Sequence, residues 1–336
     1  MNPEKKLAVI ILNWNGLELL KQLLPITAVH THGPEVDLIV ADNGSTDGSP
    51  EWISENFPGI LLIRFDRNYG FAEGYNKAIK ETGYPFTILL NSDVEVTPGW
   101  WQPMLKFMEN NPDAGALQPK IKSYNNRDSF EYAGAAGGFL DRLGYPYCRG
   151  RLFDRVEEDH GQYDGEPIDV AWASGAAMMV RTSLYIDLGG LDPLFFAHME
   201  EIDLCFRIWL AGYRVCAISD SQVFHIGGAS LNQGNPKKTY LNFRNNLLLL
   251  FKNLPRNKRT RKLIIRRLTD TLAFFMFLAK LDFPNAKAIL KAHKDFRKMK
   301  KSYKEMNVDR ELKLPGSERV IILDRYLLNR QPSQLN

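Results

Sequence analysis

The 336-residue chain has little cysteine: Cys148, Cys205 and Cys216 are widely spaced, odd in number and form no C-x-x-C. That excludes a disulfide framework and a zinc knuckle, and it points to a reducing, cytoplasmic setting. Long apolar runs are also missing. The most apolar later stretch, 272–281, falls far short of the roughly 20 residues that span a bilayer. The apolar segment 7–12 is shorter than a signal-peptide core, and no small-residue cleavage site follows it. Neither membrane crossing nor export is expected. No strand end carries G-x-G-x-x-G or G-x-x-x-x-G-K-[ST], which disfavours a dinucleotide-binding Rossmann unit and a P-loop. Internal repeats and low-complexity tracts are absent as well.

What is there is an ordinary globular composition, 44% hydrophobic and 24% charged, of a length that suits about two domains or one large domain with an appendage. The net charge of +4 conceals an asymmetry: residues 1–236 hold 18 Lys and Arg against 31 Asp and Glu, whereas 237–336 hold 25 against 8. Charge distribution governs association, so the basic portion is expected to face an anionic membrane surface or a polyphosphate. Nucleic acid is disfavoured because no stacked aromatic and basic groove pattern accompanies the charge.

Apolar runs at 7–12, 36–41, 60–65 and 86–90 alternate with helical patterns at 16–24, 49–56 and 72–82. Such alternation predicts a doubly wound, mostly parallel α/β sheet, whose ligand sits beyond the carboxyl ends of the strands. Residues 114–170 are irregular and read as an acceptor-side insertion with short strands. Regular structure is expected again over 170–180, as a helix over 200–211, as a strand over 214–218 and as helices from 236 to about 304.

The strand ends are polar in specific ways. Asn13-Trp14-Asn15-Gly16 follows the first run, Asp42-Asn43-Gly44-Ser45-Thr46-Asp47-Gly48 the second, Asn68-Tyr69-Gly70-Phe71 through Asn76 the third, and Asn91-Ser92-Asp93 the fourth. Asp42, Asn43 and Ser45 can accept from the N–H and hydroxyl groups of a base or ribose; the alternative is a polar turn that caps the next helix through Thr46 or Asp47. Period-two alternation would put Asn91 and Asp93 on one face. One carboxylate there suffices for a hard divalent cation whose other ligands are phosphate and water, although a solvated strand end has the same spacing. Glu200, Glu201 and Asp203 crowd a helix start. The macrodipole favours acids there, and mutual repulsion with shielding by Phe195, Phe196 and Met199 would tune one of them, Glu201 first, as a general base. His225 lies in a Gly-rich loop, Phe224 through Ser230, open to metal or diphosphate.

In this order and spacing, Val9 through Asn15, Asp42 through Gly48, Asn68 through Ala72, Asn91-Ser92-Asp93 and Glu200 through Leu204 resemble glycosyltransferase family 2, especially its bacterial rhamnosyltransferase-like members, over roughly residues 7–250. The resemblance implies a GT-A fold and an inverting transfer of a sugar from a nucleoside-diphosphate donor to a hydroxyl, assisted by Mg²⁺ or Mn²⁺. By matching motif, Asn13 and Asp42, with Asn15, Asn43 and Ser45 beside them, would line base and ribose. Asn68, Gly70, Phe71 and Asn76 would lie near the nucleotide together with Asn91 and Ser92, and Asp93 and His225 would lie at the metal. Glu201 matches the base, with Glu200 and Asp203 as alternatives. Two positions depart from the family: Asn91 stands where an acid is usual, and Glu201 where Asp is. The first departure leaves open a second reading, a catalytically silent sugar-nucleotide-binding scaffold at the membrane.

The expected organisation is a catalytic domain over 1–236, with a nucleotide-sugar half (1–113) and an acceptor half (114–236), followed by a helical basic extension over 237–336. Arg256, Lys258, Arg259, Arg261, Lys262, Arg266 and Arg267 precede the apolar 272–281 stretch, the composition of an interfacial anchor. With a lipid-linked or polysaccharide acceptor, the enzyme is expected to work in the cytoplasm, peripherally at the inner face of the cell membrane.

Overall fold

The computed structural model describes residues 5–227, 234–303, 308 and 312–335. Gly228 to Ser230 of the His225 loop and Lys304, the expected end of the helical region, lie outside the described residues.

The chain opens as β1 (Leu7–Asn13), α1 (Leu17–His30), β2 (Val36–Asp42), α2 (Ser49–Asn56), β3 (Leu61–Arg64), α3 (Gly70–Thr82), β4 (Phe86–Asn91), β5 (Val94–Val96) and α4 (Gln102–Asn110). β1 and β2 are buried over nearly their whole length, as strands covered on both faces must be, which is why they read as unbroken apolar runs. Helix α1 runs past Pro25, beyond the expected end at residue 24.

β6 (Ala114–Ser123) begins the region expected to be irregular. A small antiparallel sheet follows: β7 (Gly138–Leu140), β8 (Pro146–Cys148), β9 (Arg151–Leu152) and β10 (Arg155–Val156). After β11 (Ile168–Asp169), only Ala177–Arg181 of the expected regular stretch forms a strand, β12. Then come α5 (Thr182–Asp187), α6 (Glu200–Leu210) and β13 (Arg214–His225), which is more than twice its expected length and includes His225 itself.

The main sheet has the order β11-β13-β6-β12-β4-β1-β2-β3, with β5 paired to β13. Its parallel blocks β4-β1-β2-β3 and β6-β13 are joined through antiparallel β12. The sheet is therefore mixed, mostly parallel and flanked by helices, a GT-A type architecture. Two apolar cores, one on each face, fix the strand ends.

Helices α7 (Pro236–Asn253), α8 (Arg256–Ala279) and α9 (Phe283–Met299) form the basic region. Residues 312–335, with the short α10 (Ile321–Tyr326), fold back onto the small sheet, where Ile321 and Leu335 pack with Tyr147 and Leu152. Among the described residues, no helix is long and apolar enough to cross a membrane.

Candidate active site

Asn13 and Asp42 end neighbouring strands in register. The Asn13 amide donates to Asp42 Oδ1 (2.9 Å), Ser49 Oγ (2.8 Å) and Ser45 Oγ (3.2 Å), and Asp42 Oδ2 accepts from the Ser45 N–H (3.0 Å). Asn15 Oδ1 accepts from the Thr46 N–H, while its own N–H donates to Ser45 Oγ. The third loop joins through Asn43, whose amide donates to Asn68 Oδ1 and the Gly70 carbonyl, both at 3.0 Å, and whose Oδ1 accepts from the Tyr69 N–H. Gly44 makes this junction possible: at φ +74°, a Cβ would sit 2.5 Å from the Arg67 carbonyl carbon. The three loops form one hydrogen-bonded crescent. The Asn43 amide and the Asn68 Oδ1 are occupied in building it.

Asn91-Ser92-Asp93 does not continue a strand; the three residues span the end of β4 and the turn before β5, so alternation does not govern where their side chains point. The turn instead brings buried Asp93 to β13, with Oδ1 3.2 Å from His225 Nε2. On the ring's other side, Nδ1 lies 3.7 Å from Glu131 Oε2. Burial opposes charge on this imidazole, but the flanking Asp93 and Glu131 carboxylates outweigh it and push His225 up to about 10. Asn91 Oδ1 is buried with no partner.

The acids at the start of α6 divide in two. Glu200 is buried and Glu201 half-buried, and each keeps a sealed, unpartnered Oε2. Burial raises both carboxyls, Glu200 further because Glu201 stands beside it, and Glu201 reaches about 7. Glu201 packs toward Gly175 in the turn before β12, and Phe71 of α3 comes to the same spot: a Cβ on Gly175 would lie 3.6 Å from Glu201 Cβ and 3.7 Å from Phe71 Cζ.

Asp203 is a correction to the expected catalytic set. It is fully buried and faces α7, where it accepts from Lys252 Nζ, Asn253 Nδ2 and Arg207 Nε, which leaves nothing for a substrate. Asn76 is a second correction. It is buried and its side chain is taken by the protein: its amide donates to the Leu191 carbonyl, and its Oδ1 accepts from Leu191 N–H and Tyr185 O–H, so it anchors the 188–191 turn.

Sequence reasoning missed three contributors. Glu131, behind His225, lies in the irregular stretch with no flanking motif. His198, two residues before Glu200, is buried with an unpartnered Nε2 and is held neutral, its pKa lowered to about 4 by burial and by the Lys238 charge. Asn245 of α7 donates to the carbonyls of Phe195, Ala197 and His198 at 2.9, 2.8 and 2.6 Å. It clasps a turn in which Phe196, His198 and Met199 all have positive φ, strain of the kind that surrounding structure must hold in place.

Of the eleven buried side-chain atoms lacking a partner among the described residues, six belong to Asn13, Asn91, His198, Glu200, Glu201 and His225. Native interiors leave few polar groups unsatisfied, so these six atoms are the candidates for hydrogen bonds to a ligand. No group of three or more His, Cys, Asp or Glu among the described residues is arranged to hold a metal unaided. Asp93 and His225 nevertheless fit a cation that displaces the proton held on the ring and takes its remaining ligands from phosphate and water, as Mg²⁺ and Mn²⁺ do.

Residues 8–179 match the sequence profile of glycosyl transferase family 2. The chain is 28% identical over 237 residues to the N-acetylglucosaminyl-diphospho-decaprenol L-rhamnosyltransferase of Mycobacterium tuberculosis, covering 65% of this chain and 75% of that protein. In structure it is similar to GalNAc-T7 with UDP, GalNAc and Mn²⁺ (TM-score 0.57, 16% identity, 75% of this chain); it spans about half of that protein, 48%. It is also similar to S. aureus TarS 1-349 in complex with UDP-GlcNAc (TM-score 0.54, 16% identity), over 93% of this chain and 95% of that one. At such identities the structural likeness speaks for the fold alone.

Proposed function

The chain belongs to glycosyl transferase family 2 and is a glycosyltransferase, and we propose that it transfers a sugar, with inversion, from a nucleoside diphosphate to a hydroxyl of a lipid-linked or polysaccharide acceptor during glycan synthesis. The observation that carries this reading is Glu201: a carboxylate with a sealed, unpartnered oxygen, raised to about 7 and standing beside the side-chain-free Gly175. A base near neutrality can take the acceptor hydroxyl's proton as its oxygen forms the new glycosidic bond and the bond to the diphosphate breaks. One base and one displacement invert the anomeric centre, whereas retention would require a second carboxylate as nucleophile.

The other residues divide the remaining work. The Asn13–Asp42–Ser45 corner, with Asn15, holds base and ribose. Asn91, Ser92 and the Phe71 edge face the sugar and diphosphate, and Gly70 lets the loop come close. Asp93, with His225 once it has given up its ring proton, would hold Mg²⁺ or Mn²⁺, and when bound that ion neutralises charge building on the leaving diphosphate. Residues 1–236 act as the catalytic unit, 1–113 toward the donor and 114–236 toward the acceptor. The extension over 237–336 lies against an anionic membrane surface on the cytoplasmic side. Its excess of 25 cations over 8 acids supports this, as does the decaprenol named for the mycobacterial relative.

The test is Glu201→Gln with turnover and donor binding measured separately. Transfer should fall about 10²–10⁴-fold with donor affinity essentially intact; full turnover would remove Glu201 as the base.

A further inference from the structure

Away from the carboxylates, α7, α8, α9 and the turn that follows border a half-open cavity of about 230 Å³. Phe251, Leu263 and Phe296 line it with apolar surface, and Arg259, Arg267 and Lys300 line it with charge. The Arg259 guanidinium lies 4.0 Å from the Phe251 ring centroid and donates to the Phe251 carbonyl. Lys300 Nζ is 5.9 Å from the ring centroids of both Phe251 and Phe296. None of these three cations meets an acidic side chain among the described residues: the nearby Asp270 is taken by Arg266 and His293. Burial, and then repulsion from Arg256, disfavour the Arg259 charge. The cavity is thus short of negative charge.

Its lip continues into a second unsatisfied feature. Ile264 lines the cavity and is 58% exposed, and it begins a ridge of Leu268, Leu272, Phe275 and Met276 spaced three or four residues apart along α8, hence on one face, each 45–67% exposed. Leu281 and Phe283 extend apolar surface around the turn into α9. From Arg256 to Arg267 the sequence has seven cations and no acid.

We propose that the cavity receives the phosphate headgroup of an anionic phospholipid while the α8 ridge lies among the acyl chains. This deepens, and rests on, the reading of the C-terminal region as membrane-facing, and it gives that surface a defined ligand site. A soluble polyanion would satisfy the cations but leave the ridge in water, and an apolar protein face would cover the ridge but leave the half-buried Arg259 and Lys300 without a counter-ion. An anionic lipid meets both needs. Phosphate oxygens accept from the guanidinium groups and the ammonium, and the glycerol and first methylenes meet the aromatic floor.

The experiment is co-sedimentation of the full chain with vesicles of phosphatidylcholine, with and without phosphatidylglycerol. The variants are R259Q/R267Q/K300Q, a charge-matched control K287Q/K294Q/K298Q on α9 outside the cavity, and L272S/F275S on the ridge, each checked for unchanged circular dichroism. The wild type should prefer phosphatidylglycerol, and the cavity triple should lose at least about tenfold more affinity than its control, given the usual contribution of each cation near a lipid surface. The ridge variant should weaken binding to both vesicle types.

Equal losses from the two triples would overturn the cavity site and leave diffuse membrane attraction standing. No vesicle binding by the wild type would overturn the membrane reading and the site with it. Glycerol 3-phosphate binding to the cavity with full strength in the ridge variant, and no vesicle preference, would make it a site for free phosphate instead.

Discussion

Replacing Asp203 by asparagine separates scaffold from chemistry on the same helix turn. The buried carboxylate serves Lys252 at 2.7 Å, Asn253 at 2.8 Å and Arg207 at 2.9 Å. An amide keeps the shape but removes the charge, and it turns one acceptor into a donor that faces other donors. Stranding one partner of a buried ion pair costs about 3–5 kcal/mol. Two features hold this case near the lower end: Lys252 retains Asp192 at 2.7 Å, and Arg207 retains the carbonyls of Leu188 and Gly190 at 2.6 and 2.7 Å. A loss of about 3 kcal/mol, set against the unfolding entropy of a chain this long, lowers the melting midpoint by about 4 °C. Thermal unfolding should show that shift, and kcat below the transition should stay within about threefold of wild type. Adding Lys252→Met completes a double-mutant cycle with a coupling of about 1–2 kcal/mol. An unchanged midpoint with turnover cut a hundredfold or more would refute the clamp and return Asp203 to the chemistry.

Asn245→Ala frees three carbonyls of the strained turn ahead of α6, so kcat should drop about 10–100-fold, with a smaller change in KM, because the base is mis-aimed and the donor corner untouched; a rise in KM alone would contradict this role. Asp93→Ala should weaken donor binding by calorimetry when Mn²⁺ is present and leave metal-free binding unchanged, whereas equal affinities with Mn²⁺ would exclude Asp93 from a metal site. For Glu201, the folded pKa of about 7 lies above the ordinary carboxyl value. The folded state therefore prefers the protonated form, and stability is fully present at pH 4 and declines as pH rises toward 7. Glu201→Gln, always neutral, should melt higher than wild type at pH 8 and alike at pH 4. The same gain at both pH values would show that burial of the charge is not the cause.

The donor half was legible because β1, β2 and β4 are buried over nearly their whole length and its loops use turn residues at each strand end. Two strands on the acceptor side were hidden by one irregularity. Pro119 stands inside β6, where proline normally argues against a central strand, and β13 carries the polar Ser219-Asp220-Ser221. The structure pairs Ile218 with Pro119 and then shifts register to Gln222, so a bulge in β13 falls where the proline cannot donate. Each sequence looks like the end of a strand when read alone.

Side-chain roles failed for a related reason, since the deciding partners are distant in sequence. Asp203 is claimed by residues 49 and 50 positions away, and Asn76 by one 115 away. Motif membership therefore marks the region of a site more faithfully than it marks contact with the ligand. Asn43 matches the same pattern as Asn91 yet its amide is used up on Asn68, Gly70 and Tyr69, while Asn91, Glu201 and His225 keep buried atoms without a hydrogen bond. A donor can add hydrogen bonds only where valence is free, so substitutions at Asn43 should act through loop geometry and those at Asn91 through direct loss of a ligand contact.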